Sequence, residues 1–287
     1  DQLDNPLAVV DPGTRLLGAV AVLGRYLGLT VWPYPLSVDY SFDALGIGAG
    51  FVADRFSAIA LVGLFALGLA CWKLGHTVAF ALLLAASAYS LVSNTVLMIG
   101  TVMAERLFYI PTIGLALAVA PGVDAVLARR RNTGIATAAI AAVCAAYAVV
   151  STLRSYDWQS QIALFGRAVQ AHPRSARARM ELASAYGRSG DAAKAETEFA
   201  EAIRILPTYA AAWYNLGNAR ARRGALDSAA EAYRQAVEHA PRLTQAWYNL
   251  ALVEQMRGRT DAAIEAFAAT ARVAPQDPQA HTGLGDA

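Results

Sequence analysis

Residues 103–111 read MAERLFYIP, which places Glu105 beside Arg106 between the apolar runs LVSNTVLMIGTV and TIGLALAVAPGV. Ionisable side chains at membrane depth are costly, and by default they point to function. Arg25, near the middle of an apolar run, and Asp39, in the stretch that follows it, belong to the same set. Adjacent residues on a helix do not face each other, so Glu105 and Arg106 are expected to have separate partners. An arginine offers phosphate oxygens a planar fork of donors. A carboxylate nearby can position hydroxyl groups or an arginine. A greasy surround with Arg25, Arg106, Glu105, Asp39 and the tyrosines 26, 40 and 109 suits a lipid-linked phosphate. Its tail would lie among helices and its head at the outer surface. The bland alternative is a set of ion pairs or loop charges at the membrane surface, with Arg25 snorkelling to the headgroups. Asp124 reads as a charge at a helix end near Arg129–Arg131, and Asp54 and Arg55 as loop charges.

The elements that must hold these residues are apolar helices. The 287 residues are 56% hydrophobic and 16% charged, with a mean hydropathy of +0.36, too apolar for an ordinary soluble domain. Charge is unevenly spread: 17 of the 46 Asp, Glu, Lys and Arg residues lie in 1–154. A bilayer core needs about 20 apolar residues per helix. Leu16–Trp32, Phe56–Trp72, Thr77–Ile99, Pro111–Leu127 and Gly134–Leu153 approach or meet that length. Arg25 weakens the first, which reads as a span or as a helix dipping into the interface. Arg129, Arg130, Arg131 and Lys73 mark the inner side by the loop-charge rule. The loops around Asp39 and Glu105, and everything after Leu153, then face outward. Trp32, Tyr34 and Tyr40 suit an outer aromatic belt.

The net charge of +2 gives no reason to expect nucleic acid. Cys71 and Cys144 lie far apart in apolar segments and read as small buried residues. Four scattered histidines have no metal-ligand spacing, so no metal site is expected.

The second half has a period. Proline recurs at 173, 207, 241 and 275, every 34 residues, the tetratricopeptide length. Trp213, Leu216, Gly217, Ala229, Tyr233, Ala236 and Pro241 fit one unit of the repeat pattern. Trp247, Leu250, Ala251, Ala263, Phe267 and Pro275 fit the next, and Leu182, Ala183, Tyr186, Ala195, Phe199, Ala202 and Pro207 the one before. The expected organisation is a membrane region, 1–154, and a repeat array, 155–287. The array divides into a half repeat at 157–175, full repeats at 176–209, 210–243 and 244–277, and a truncated repeat at 278–287. The fold class is all-α: a polytopic transmembrane helical domain followed by a tetratricopeptide α-solenoid. The inner groove of such an array usually holds peptides. Asn215 and Asn249 recur in WYNLG and WYNLA, and an amide side chain can pair with a peptide backbone. Tyr214, Asn215, Asn218, Tyr248 and Asn249 are therefore the expected peptide-contact residues. The alternative is that the asparagines only brace neighbouring helices.

Several motifs together resemble a known family. DNPLA at 4–8, GRYLGLTVWPYPLSVDYSF at 24–42, SN at 93–94 and MAERLFYIPTIG at 103–114 look like the membrane core of the transmembrane-and-tetratricopeptide (TMTC) O-mannosyltransferases. A repeat array directly after the last span is also similar. The resemblance implies a membrane glycosyltransferase of the GT-C type. Such an enzyme passes a sugar, here mannose, with inversion from a polyprenyl (dolichyl-type) phosphate to a protein Ser or Thr hydroxyl. It implies Arg25 and Arg106 on the donor phosphate, and Tyr26, Tyr40 and Tyr109 along the donor or sugar pocket. Asp39 and Glu105 would position sugar, acceptor or arginine, with Asn94 hydrogen-bonding nearby. In this class the carboxylate taken as the base lies in the first external loop, which has no counterpart in these residues. The catalytic residue is thus expected outside this chain, which reads as an internal piece, inactive alone.

The expected partners are the bilayer, a lipid-linked sugar and an acceptor protein in the repeat groove; no cofactor is expected beyond the donor lipid. Alanine and arginine richness suggests a bacterial inner membrane with a periplasmic array; a eukaryotic source would put the array in the endoplasmic reticulum lumen. A membrane-anchored adaptor without catalysis is the rival, although one span would suffice for a tether. A transporter would need matched halves, and 1–154 has no internal repeat.

Overall fold

The computed structural model describes residues 10–31, 37, 63, 76–94, 103, 105–129 and 133–276. Among them every regular element is helical. The chain divides into two compact units, Asp1–Ser175 and Ala176–Ala287.

In the first unit, α1 covers Pro12–Val31. Its start is set locally. Asp11 Oδ1 accepts from the backbone N–H groups of Gly13 (2.9 Å) and Thr14 (3.0 Å), and Pro12 at the first position has no N–H to lose. The helix α2 spans His76–Val92. It stops short of the run expected to reach Ile99 because Asn94 takes φ +60°, a left-handed conformation asparagine tolerates at helix ends. A 3₁₀ turn, Glu105–Phe108, leads into α3, Tyr109–Arg129, which contains Pro121. That proline removes the amide that would bond to the Leu117 carbonyl. Helices α2 and α3 touch at Gly114, where a Cβ would come within 2.7 Å of the Ala81 carbonyl and 2.9 Å of the Ala85 Cβ. Only glycine allows that approach.

Helix α4 spans Thr133–Asp157. Its side chains are exposed along nearly its whole length, apolar ones included. The Tyr147 hydroxyl donates to the Thr30 carbonyl (2.5 Å), tying α4 to the end of α1. Helix α5, Gln161–Ala171, follows at once, capped by Ser160, whose Oγ accepts from Ala163 N–H (3.1 Å). By length and composition, Thr137–Asp157 is the one stretch among the described residues long and apolar enough to cross a membrane. His76–Leu91 and Tyr109–Asp124 are shorter apolar helices. The expected span Phe56–Trp72 falls, apart from Gly63, outside the described residues.

The second unit is three helix pairs: α6 (Ala176–Ser189) with α7 (Ala192–Ile205), α8 (Ala210–Arg222) with α9 (Leu226–His239), and α10 (Thr244–Met256) with α11 (Thr260–Val273). Each pair turns at a glycine with positive φ: Gly190 (+88°), Gly224 (+77°) and Gly258 (+72°). Phe199, Tyr233 and Phe267 fill equivalent core positions, each worth roughly 2–3 kcal/mol of burial. Ala195, Ala229 and Ala263 are fully buried at the crossings, where no larger side chain leaves room. Gly217 goes further: a Cβ there would lie 2.6 Å from the Tyr233 ring.

Neighbouring repeats are also joined by polar bonds. Trp213 Nε1 donates to the Pro207 carbonyl (2.7 Å) and Trp247 Nε1 to the Pro241 carbonyl (3.0 Å). The 34-residue proline thus ends one unit and receives the next. Glu196 of α7 pairs with Arg220 (3.1 Å) and Arg223 at the far end of α8. Glu254, buried in α10, accepts from Arg257 through both oxygens (3.0 Å each) and from Arg234 of α9.

Candidate functional site

The first candidate lies where the last turns of α1, the end of α2 and the turn before α3 converge. The convergence is built from aromatic rings. Tyr26 stacks on Phe108 with centroids 4.5 Å apart, and Tyr89 meets both edge-on at 6.3 and 6.0 Å. Tyr89 also donates to the Ala19 carbonyl (2.5 Å), which fixes its ring. Met103, Ala21 and Val22 complete the core.

The Tyr26–Phe108 stack places the α1 segment of Arg25 and Tyr26 beside the turn that Glu105 and Arg106 open, and Asn94 lies just past the end of α2. Their surroundings differ. Tyr26 is 2% exposed and belongs to the packed core rather than to an open pocket wall. Arg25 is half-buried. Asn94 is 0% exposed, beside buried Ser93. Glu105 and Arg106 form the first turn of the 3₁₀ segment. Tyr109, 70% exposed, points away from the cluster. Asp39 and Tyr40 lie outside the described residues. Sequence reasoning missed Tyr89 and Phe108; the spacing of Tyr109 and Phe108 shows two aromatics in a row but not which one turns inward.

Beside this cluster is a cavity of about 320 Å³. Leu16, Leu23, Leu27, Leu82, Phe108 and Leu115 are among its walls, and its surface is almost wholly apolar. Such a space accepts hydrocarbon and offers little to a polar group. No group of three or more His, Cys, Asp or Glu side chains that could hold a metal ion occurs among the described residues.

The second candidate is on the first helices of the repeats. The Asn218 Oδ1 accepts from the Tyr233 hydroxyl (2.7 Å) and from Asn249 Nδ2 (2.9 Å). Asn249 Nδ2 also reaches the Tyr214 hydroxyl (3.5 Å). One repeat earlier, Asn215 Nδ2 lies 3.8 Å from the Met180 sulfur. The asparagine at this position thus reaches back to the preceding repeat each time, so bracing is part of its role. Both amide groups of the 218–249 pair are oriented by these bonds. The Asn218 amide nitrogen and the Asn249 carbonyl oxygen remain for other partners. Tyr214 and Tyr248 flank the pair, with Tyr214 centred 6.1 Å from Tyr233 and Tyr248 5.8 Å from Phe267. Burial pushes the Tyr233 phenol up to about 12.

Comparison with known proteins matches this half of the chain most directly. Tetratricopeptide-repeat family models match residues 210–243, and 153–210 with 248–287. The mouse protein O-mannosyl-transferase TMTC3 is 26% identical over 183 residues, 61% of this chain and 20% of its own length. The Drosophila melanogaster Tmtc3 is 27% identical over 187 residues, with the same shares. Human TMTC4 is 26% identical over 187 residues, 61% of this chain and 25% of its own. The chain spans about a fifth to a quarter of the length of these curated relatives. Among solved structures, a crystal structure of MamA is 26% identical and covers 43% of this chain and 72% of its own, with a TM-score of 0.41. The chain is an all-α protein that carries tetratricopeptide repeats and is similar to the TMTC protein O-mannosyl-transferases.

Proposed function

We propose that this chain is part of a membrane glycosyltransferase, in which residues 1–154 hold a polyprenyl phosphate sugar and residues 155–287 recruit the acceptor protein. The observation that carries the reading is the similarity to protein O-mannosyl-transferases over 61% of the chain, together with the repeats. In this reading the protein is integral to a membrane, with several spans. The array stands on the outer side, periplasmic in a bacterium and lumenal in a eukaryote. The apolar cavity beside Phe108 takes isoprene units of the lipid. Arg25 and Arg106 hold the phosphate with forked hydrogen bonds, which stabilise it as it leaves. Glu105 and Asp39 position sugar hydroxyls or the acceptor, Asn94 and Tyr40 shape the space around them, and Tyr26 backs that space from the packed core.

The transfer itself breaks the bond between the anomeric carbon and the phosphate oxygen. The acceptor hydroxyl oxygen forms the new bond from the opposite face and passes its proton to a base. This reading assigns no residue of the chain to that base. In the array, the Asn218 amide nitrogen and the Asn249 carbonyl oxygen pair with a peptide unit of the acceptor, between Tyr214, Asn215 and Tyr248.

The test is transfer of radiolabelled sugar from a polyprenyl phosphate to protein, in membranes carrying the full-length enzyme. Wild type is compared with Arg106→Ala and Glu105→Gln at matched expression. Collapse of transfer in both variants is the expected result. Full transfer in both would remove the site from the turn at 105–108 but keep the enzyme. No transfer by wild type with any of several sugar donors would leave a membrane-anchored adaptor.

A further inference from the structure

The junction of α4 and α5 carries features that neither transfer nor repeat packing uses. Leu153, Tyr156 and Trp158 are 63%, 56% and 61% exposed. Val149, Leu153 and Tyr156 recur at helical spacing, so one exposed apolar stripe of α4 ends in a tyrosine. Trp158 follows it in a fixed turn, not a loose linker: the N–H groups of Trp158 and Gln159 donate to the Ser155 and Tyr156 carbonyls (3.2 Å each). Next to this stripe Asp157 is neutralised twice, by Arg154 (3.0 Å) and by Arg167 from α5 (3.3 Å). The polar boundary of the apolar helix is thus built from an ion-paired carboxylate, with a Tyr and a Trp exposed beside it.

Beyond it the charge is one-sided. From Trp158 to Met180 the chain has four arginines and a histidine, and no carboxylate. Of these, Arg167, which also pairs with Asp157, and Arg174 are exposed within the first unit, among Gln159, Ser160, Gln161 and Gln170. Indole and phenol rings settle where hydrocarbon meets headgroups. Arginines next to an apolar helix attract anionic headgroups.

We propose that the α4–α5 junction is a lipid-surface contact. Tyr156 and Trp158 sit in the headgroup layer, and Arg167 and Arg174 lie against anionic lipid phosphates. The half repeat formed by α5 then begins in the headgroup layer. The inference rests on the reading of α4 as a membrane span.

The test places an environment-sensitive fluorophore at Gln159→Cys in the full chain, with Cys71 and Cys144 replaced by serine. Trp158 stays intact. The protein is reconstituted in vesicles of zwitterionic lipid, or of the same lipid with one part in three anionic. A Glu265→Cys label in α11 is the control. The expected result is quenching at 159 by a headgroup-attached quencher and iodide quenching several-fold weaker than at 265. Adding Arg167→Gln with Arg174→Gln should raise iodide access in anionic vesicles and leave it unchanged in zwitterionic ones. Equal iodide access at 159 and 265, in protein that stays in the pellet after alkaline carbonate, would overturn the contact while keeping the span. Release by carbonate would overturn the span, and this inference with it.

Discussion

At the scale of single residues, the tightest constraint is Gly217 under Tyr233. A methyl group there would meet a ring held by its bond to Asn218, so the ring cannot simply swing away. Gly217→Ala is expected to cost about 1–3 kcal/mol, read as a lower thermal midpoint of the array. Tyr233 gives a second prediction. Its phenol ionises near 10 when unfolded and near 12 when folded, because burial disfavours the phenolate. Between those values the unfolded chain has lost the proton and the folded chain still holds it, so stability falls as pH rises through the window. Denaturant titrations of the array at pH 9 and pH 11 should show this loss in wild type and a smaller one in Tyr233→Phe. Gly217 was legible in the sequence, since the repeat pattern asks for a small residue at that position. The fate of Tyr26 was not. A tyrosine near an arginine in an apolar run suits a binding pocket and a packed core equally well. Only the arrival of Phe108 from 82 residues along the chain puts its ring in the core.

At the scale of elements, repeats were visible but their clasps were not. The 34-residue proline spacing marks each unit, and the glycine at each turn follows from it. Which charges meet across units depends on how the helices stack, and sequence spacing does not set that. Glu196 reaches Arg220 and Arg223 across 24 and 27 residues, and Glu254 reaches back to Arg234. Glu254→Ala would leave two arginines without their shared acceptor. Hydrogen bonds to charged groups contribute about 1.5–3 kcal/mol, so a loss in that range is expected by chemical denaturation. Glu254→Gln, which keeps one acceptor oxygen, should lose less. Among the described residues of the first unit, α1 to α4 fall on runs legible from hydropathy, apart from the early stop of α2 before Asn94. The α2–α3 crossing was not, because nothing in the run TIGLALAV singles out Gly114 as the point of contact. Gly114→Leu would force the two helices apart, and is expected to lower the thermal midpoint of the protein.

At the scale of the whole chain, an array of this kind is stabilised by its units and by the interfaces between adjacent units. Ending the chain after Leu243 removes α10, α11 and one interface, including the Trp247–Pro241 and Glu254–Arg234 contacts. The urea midpoint followed by Trp213 fluorescence should fall, and the slope should shrink with the surface lost. An unchanged midpoint would mean that the repeats unfold independently. The same arrangement has a consequence for growth. The carbonyls of Pro207 and Pro241 receive Trp213 and Trp247 of the following unit by the same bond, and the turn glycines Gly190, Gly224 and Gly258 share a positive φ. A further block of 34 residues with these signals would dock on the last one without altering any earlier contact. Such a ruler lengthens only in whole divisions, so its span can be changed by gene duplication while the units before the insertion stay as they are.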